Sequence, residues 1–577
     1  MSDEPAKPVV QDTPPPRPTS ETVSELGFER RKRMVRWLSP TQLFRTGRQA
    51  LFAVLISGYA DKREIQAALL SPGIFDDRSH DPEVWIDFVS DLGDGFNPTY
   101  ALASLLARPS LSLRDETRRG QILVMGGDEV YPAANQRRYR DRLVGPYRAA
   151  LPYLAKKQPN LFVVPGNHDW FDGLTSFMRV FCQQGWVGAW KTCQTRSYFA
   201  IELPHKWWLW GLDIQFDNYI DWPQFRYFKD EVAERVTSGD GIIICVAKPS
   251  WVDANVREPT LDPDLYTTLD YFQQHVIPPH ASVRLAISGD RHHYARYKQR
   301  DGTRQLITCG GGGAFLSETH GLPDEIRVPH PASSDPSPSP RLTYDLKAAY
   351  PPREGSRQRA WGGAWSLLWL NDAFPVLVGA VAALLTFMGR AGLSSGGQPF
   401  WGVPDQWWRN TLTILLLGGL AVGLVRFTKT RGFLAWALGL AHFALHVIGI
   451  IAAGWAASSI LSSVGGAWHV AWSLLGTFVL YGAVGTLLFT LYLLVADLFR
   501  VNRTELFASM RIEGMKSFLR LRIDATGCTV YPVKVEKVPR RWRLQPSGPP
   551  ETSWFEPDGD LPMAELIESP ITIPRET

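Results

Sequence analysis

The stretch LFVVPGNHDW, residues 161–170, decides how the chain is read. Its first four residues are apolar and strand-forming, and Pro165 and Gly166 end the run abruptly, which predicts a short buried strand followed by a loop. Asn167, His168 and Asp169 then offer an amide, an imidazole and a carboxylate in succession. Three other stretches repeat the design. FVSDLGDGF (88–96) places Asp91 and Asp94 after an apolar run, QILVMGGDEVYP (121–132) places Asp128, and VRLAISGDRHHY (283–294) places Asp290, His292 and His293. GIIICVA (241–247) before Lys248, and RQLITC (304–309) before the four glycines 310–313, read as further strands. A lone Gly-Asp or a lone His is more often structural. Four polar loops in this order, each behind a strand, predict one sheet edge carrying functional groups. Carboxylate, amide oxygen and imidazole together are the donors that hard and borderline metals prefer.

Working outward, residues 98–107 and 136–156 read as helices between the strands. At 577 residues, with 45% hydrophobic and 20% charged, the chain has material for several domains and is not disordered overall. The net charge of +4 is too small to indicate a nucleic-acid partner, and no DNA- or RNA-binding motif appears. The five cysteines are scattered without CxxC spacing, which argues against a disulfide scaffold and a zinc finger. Residues 1–49 read as a Pro-rich disordered tail followed by a basic segment. That segment, with Trp37 among arginines, suits either an anionic membrane surface or an intramolecular contact.

In their order and spacing the four loops resemble the calcineurin-like metallophosphoesterase superfamily. Its pattern runs Asp-x-His, Gly-Asp, Gly-Asn-His-Asp/Glu, a lone His, then Gly-His-x-His. GGD at 126–128 and GNHD at 166–169 match well, and the resemblance covers about residues 85–315. It implies an α/β fold in which a two-sheet sandwich is flanked by helices and carries a metal site at the strand ends. It implies Asp128 as a bridging ligand, Asp91 and His292 on one metal, and Asn167 on a second. His168 becomes the candidate to protonate the leaving oxygen or steady the phosphoryl charge, and Asp169 the candidate to orient His168. The cofactor implied is one or two divalent or trivalent ions, with Mn, Fe and Zn all suited to the donors.

Three positions depart from the pattern. Gly93 stands where the first loop has His, with Asp94 or water as substitutes; Lys248 stands at the lone His; Asp290 stands at the first His of the last loop. Asp290 can ligate, whereas an ammonium has only donors. The site is therefore dinuclear with altered ligands, mononuclear with Lys248 supplying the missing positive charge, or catalytically silent. The glycines 310–313 either approach a phosphate through backbone amides or simply pack closely. His320 is a further candidate near the site.

The chain divides into a domain over 50–325, a Pro/Ser-rich linker over 326–360, a membrane region over 361–500 and a C-terminal hairpin with a loose tail over 501–577. Residues 432–496 contain no Asp, Glu, Lys or Arg, room for two membrane helices. Stretches 373–389 and 410–425 bring the expected bundle to about four helices, with Trp369, Trp407 and Trp408 as interface anchors. His442 and His446 read as polar contacts between packed helices, with haem binding or proton relay as the alternative. Arginines before the first span (353, 357, 359) and after the last (500, 503, 511), with Arg426, Lys429 and Arg431 between the second and third, place the soluble parts in the cytoplasm. The expected function is metal-dependent hydrolysis of a phosphoester or pyrophosphate, lipid-linked or soluble, by an enzyme of the inner (cytoplasmic) membrane; the alternative is a silent membrane sensor or scaffold that keeps the fold.

Overall fold

The computed structural model describes residues 13–30, 32–45, 73–214, 220–255, 266–329, 341–393 and 407–575. Two nine-stranded sheets face each other. One contains Val84–Val89, Ile122–Met125 and Asn160–Val163 as parallel neighbours. The other contains Trp207–Leu212, Gly241–Val246, Ser282–Ser288 and Gln305–Cys309, also parallel. Strand alternation decides what lies where. Ile86, Phe88, Val124 and Phe162 meet Ile201, Ile243, Leu285 and Ile307 between the sheets. Alternate residues such as Val89, Leu123 and Met125 pack instead beneath helix Phe96–Leu106 and its neighbours. On the far side, Trp208, Trp210 and Ile244 pack under helix Thr267–Val276. The expected sandwich with flanking helices is thus the observed architecture. Parallel strands also send all their C-terminal loops to one edge, where binding sites of α/β sheets form.

The first sheet is completed from the far end of the chain. Strand Lys516–Asp524 pairs antiparallel with Val84–Val89 and with Gly527–Val535. Asp87 lies on this seam and is buried against Arg520 in a two-point ion pair at 2.7 and 3.1 Å. The last residues are not a loose tail: Ile571–Pro574 pairs with Gly527–Val530, and Glu568 binds Arg296 and Tyr294. Nor does the domain end at 325. Glu325–Pro329 and Arg341–Tyr350 are strands of the second sheet and Arg353–Gly363 is a helix, so the expected linker is ordered secondary structure on both sides of its Pro/Ser core (330–340), which lies outside the described residues, as do residues 1–12. The polar composition of Arg341–Tyr350 misleads because an edge region of a sheet tolerates it. Residues 13–30 are not a free tail either: Arg17 binds the backbone of Gln545 and Ser553. The basic segment makes the intramolecular contact, with Met34 and Val35 buried and Val35 N–H donating to Asp94 at 2.7 Å.

Helices Gly432–Ile460 and Trp468–Leu498 are long and apolar enough to cross a membrane. Helix Ala373–Leu393 joins Arg353–Leu370 at a bend of 71°, and Thr411–Phe427 is apolar but shorter. The side chains of Trp407 and Trp408 lie outside the described residues. Among the described residues two helices thus reach membrane-spanning length, or three if the bent pair is counted as one, against the four expected. His442 and His446 meet each other at 2.9 Å along one helix, while His446 bonds the Tyr481 hydroxyl and His442 stacks on Tyr492, both on the neighbouring helix.

Candidate metal centre

All four loops identified in the sequence converge. Asp91, Asp128 and Asp290 each follow a parallel strand, and each has a positive φ, 62°, 56° and 63°. That left-handed conformation is strained for a residue with a side chain and is typical of functional turns. Asp91 accepts hydrogen bonds from Ser90 Oγ (2.9 Å) and from the Asp290 N–H (3.0 Å), and its Oδ1 lies 3.4 Å from His292 Nε2. Asp128 accepts the His168 N–H at 2.8 Å. The amide end of Asn167 faces both Asp128 oxygens, donating at 3.2 and 3.0 Å with its nitrogen turned inward.

At the point of convergence stands a residue that the sequence reading passed over. The Tyr131 hydroxyl lies 2.9 Å from Asp91 Oδ1, 3.0 Å from Asp128 Oδ2 and 2.9 Å from His292 Nε2. A phenol has one proton to give, so it cannot serve both carboxylates. Burial, with Asp91, Asp169 and Asp290 nearby, holds the Asp128 pKa well above the ordinary carboxylate value. Burial, with Asp128 and Asp91 beside it, likewise pushes the Tyr131 hydroxyl pKa up. Among the described residues no three His, Cys, Asp or Glu side chains are arranged to hold an ion unaided; the fourth donor here is tyrosine. A buried cluster of carboxylates, a phenol and an imidazole, short of positive charge, is a donor set that fits a hard cation. Tyr131→Phe is expected to lower metal affinity at least 10-fold, read by equilibrium dialysis against limiting metal; unchanged affinity would make the hydroxyl a spectator.

The departures from the expected pattern now have physical reasons. Gly93 has φ 54°, and a Cβ there would lie 2.3 Å from the Glu129 carbonyl oxygen, so no ligand side chain fits. Asp94 accepts the Val35 N–H with one oxygen and keeps the other buried without a hydrogen-bond partner among the described residues, while the Tyr131 hydroxyl is the group that reaches Asp91 and His292. Lys248 stands 3.9 Å from Asp253, which also binds Arg291 at 2.7 Å, so a cationic pair flanks Asp290. Asp169 does not orient His168. It is buried, accepts the N–H of Gly166 and of Glu129 and the Tyr139 hydroxyl, and so ties two site loops together. His168 is oriented by the Pro132 carbonyl, to which Nδ1–H donates at 2.8 Å, and burial lowers its pKa to about 4. The glycines 310–313 are closely packed: the Gly310 and Gly312 amides donate to the His293 and Ser90 carbonyls, and a Cβ on Gly310 would lie 2.5 Å from Asp91 Oδ2. His320 points away from the centre, to Asp497 and Ser356, while Phe315 stacks edge-on against His292 with centroids 4.4 Å apart. Trp37 from the basic segment closes the site, 5.9 Å from both His168 and Phe315.

Residues 84–294 match the family model of the calcineurin-like phosphoesterases. This part of the chain is a calcineurin-like phosphoesterase domain. Among solved structures, one titled "GAP50 the anchor in the inner membrane complex of Plasmodium" shares 14% identity over 48% of this chain and 93% of its own, with a TM-score of 0.32. PhoD shares 11% identity over 49% and 70%, with a TM-score of 0.27. No curated protein matches the sequence.

Behind the phosphoesterase centre the C-terminal hairpin contributes Lys516, which is buried and donates to the carbonyls of Ala314 (2.6 Å) and Ile512 (3.3 Å). Burial lowers its pKa to about 8. The unfolded chain then binds more protons than the folded one between pH 8 and about 10.4, so this group makes stability rise with pH through that window. Lys516→Met is expected to remove about 3 kcal/mol of that rise, measured as the difference in unfolding free energy at pH 7.5 and 10.

Proposed function

We propose that the chain is a metal-dependent phosphoester hydrolase tethered to a membrane, with its catalytic domain on the cytoplasmic side. One observation carries the catalytic part: Asp91, Asp128, Tyr131 and His292 meet at one buried point on the strand-end edge of a phosphoesterase domain. Those four would hold an ion, and Asn167 and Asp290 are the remaining donors for a second. When bound, such an ion polarises a phosphoryl oxygen and lowers the pKa of its water toward neutrality. His168 fixes Asp128 through its backbone and presents a neutral ring; the charge of a bound phosphoester raises the imidazole pKa, which suits it to pass a proton to the leaving oxygen. Lys248, beside Asp290, donates to a phosphoryl oxygen or balances that carboxylate. Phe315 and Trp37 exclude water from the ring side. The substrate is a phosphomonoester, phosphodiester or pyrophosphate, and the tether favours a lipid-linked one. The cytoplasmic placement rests on the cations that flank the apolar helices.

A silent scaffold is the second reading, favoured by Lys248 and its tie to Asp253. Elemental analysis of the detergent-purified chain, with aryl phosphate mono- and diesters as probes, separates the two. About one metal per chain with turnover supports a mononuclear hydrolase, and Lys248→His should then raise the content toward two. No metal after loading with manganese or iron, and no turnover, would leave the scaffold.

A further inference from the structure

Helix Arg353–Gly363 runs on through a short turn into Leu367–Leu370 before the 71° bend into the apolar helix. Trp361, Trp365 and Trp369 recur every four residues and are 42%, 38% and 67% exposed, a stripe on one helical face. A segment steeply inclined to an apolar helix that crosses a bilayer lies near the bilayer plane, and a tryptophan stripe marks headgroup depth. The long helix Gly466–Leu498 ends at the same level, with Leu498, Phe499 and Arg500 exposed. Arg500 and Asn502 hold positive φ, 62° and 54°, in the turn that leaves it.

Between these elements is a cavity of about 1040 Å³ into which Arg353, Arg357, Arg500 and Arg503 converge, against only Glu354 and Asp497. Asp497 is already engaged, by Arg503 Nε at 2.7 Å and His320 Nε2 at 2.8 Å. Arg353 is held by Asp324 and the Leu322 carbonyl. Arg357 and Arg500 are exposed, and neither pairs with a carboxylate among the described residues. No side chain of the metal centre lines the cavity. The two guanidinium groups left without a carboxylate, Arg357 and Arg500, suit phosphate oxygens, and basic pockets beside membrane helices suit anionic headgroups. We propose that this cavity is an anion site that receives the phosphate of an acidic phospholipid headgroup. Trp361 and Leu498 supply an apolar flank for the glycerol end.

The proposal rests on the membrane reading of the helices but not on catalysis. Its test uses the full chain in neutral detergent, titrated separately with short-chain phosphatidylglycerol, short-chain phosphatidylcholine and inorganic phosphate, with bound lipid read by native mass spectrometry and stability by thermal unfolding. Phosphatidylglycerol is expected to bind and raise the unfolding temperature, and phosphatidylcholine is not. R357A/R500A, which orphans no partner, should keep the unfolding temperature of the lipid-free chain and bind phosphatidylglycerol roughly 30-fold more weakly. Inorganic phosphate that reproduces the full shift at millimolar concentration would overturn the lipid source in favour of a soluble anion. Equal binding of the two lipids, or wild-type affinity in R357A/R500A, would overturn the site itself. A chain that stays soluble without detergent would instead remove the membrane reading on which the site depends.

Discussion

Arg520→Leu is expected to destabilise the phosphoesterase domain by about 3–5 kcal/mol. The guanidinium is wholly buried between two strands and meets both oxygens of Asp87, whose carboxylate also accepts the Gly120 N–H at 2.9 Å. Removing the cation leaves a carboxylate buried in the sheet without its ion-pair partner, with only the Gly120 N–H and the more distant charge of Arg119 to offset it. The cost therefore reflects the stranded charge more than the lost pair. Asp87→Leu together with Arg520→Leu should recover most of the loss, because an apolar pair of similar volume stands in for a buried ion pair at little cost. Denaturant titration of both variants in detergent checks this. A loss below about 1 kcal/mol in the single variant would mean that solvent reaches the seam.

Asp128→Asn should act in the opposite sense on stability and function. Turnover is expected to fall on the order of 10³-fold, as when a group aimed at the reacting charge is removed. The metal-free protein should hold its stability, and gain some at pH values where Asp128 ionises, because burial and the charges of Asp91, Asp169 and Asp290 oppose the ionised form. Loading with metal should then stabilise the wild type and leave the variant unmoved, since ligand binding stabilises only the state that binds. A variant that keeps both turnover and the metal response would show that Asp128 lies outside the reacting site.

How much of this was readable beforehand follows from what each residue looks like in sequence. Asp91, Asp128, Asn167, His168, Asp290 and His292 were legible because a polar group directly behind an apolar strand is conspicuous, and all six sit in loops that meet. Tyr131 was not, since an aromatic ahead of proline reads as core or turn. Its signal was position, three residues after Asp128 on the same loop. Trp37 was hidden in a basic run whose charges suggested a surface, although Met34 and Val35 beside it are buried. Asp169 was given a role from its neighbour in the chain, whereas its partners Tyr139 and Gly166 come from the fold. The hairpin within 501–545 is too short for a core of its own and so has to pack on the N-terminal unit, as it does, but its pairing with Val84–Val89 in particular could not be read. Alternation marks a strand, but pairing across more than four hundred residues leaves no local trace.

That seam also sets an order of events during synthesis. Asp87 and Arg520 are separated by 433 positions, so at ordinary translation speeds the ribosome delivers the partner roughly 20–90 s after the first strand emerges. For that interval Val84–Val89 is an uncovered sheet edge while the apolar helices are being made. An inward-pointing charge is a known guard on such an edge against pairing with other chains. Asp87 is the one charged residue in that strand. The group that would be most damaging to leave unpaired in the finished protein is thus the one that protects the nascent chain until its partner arrives.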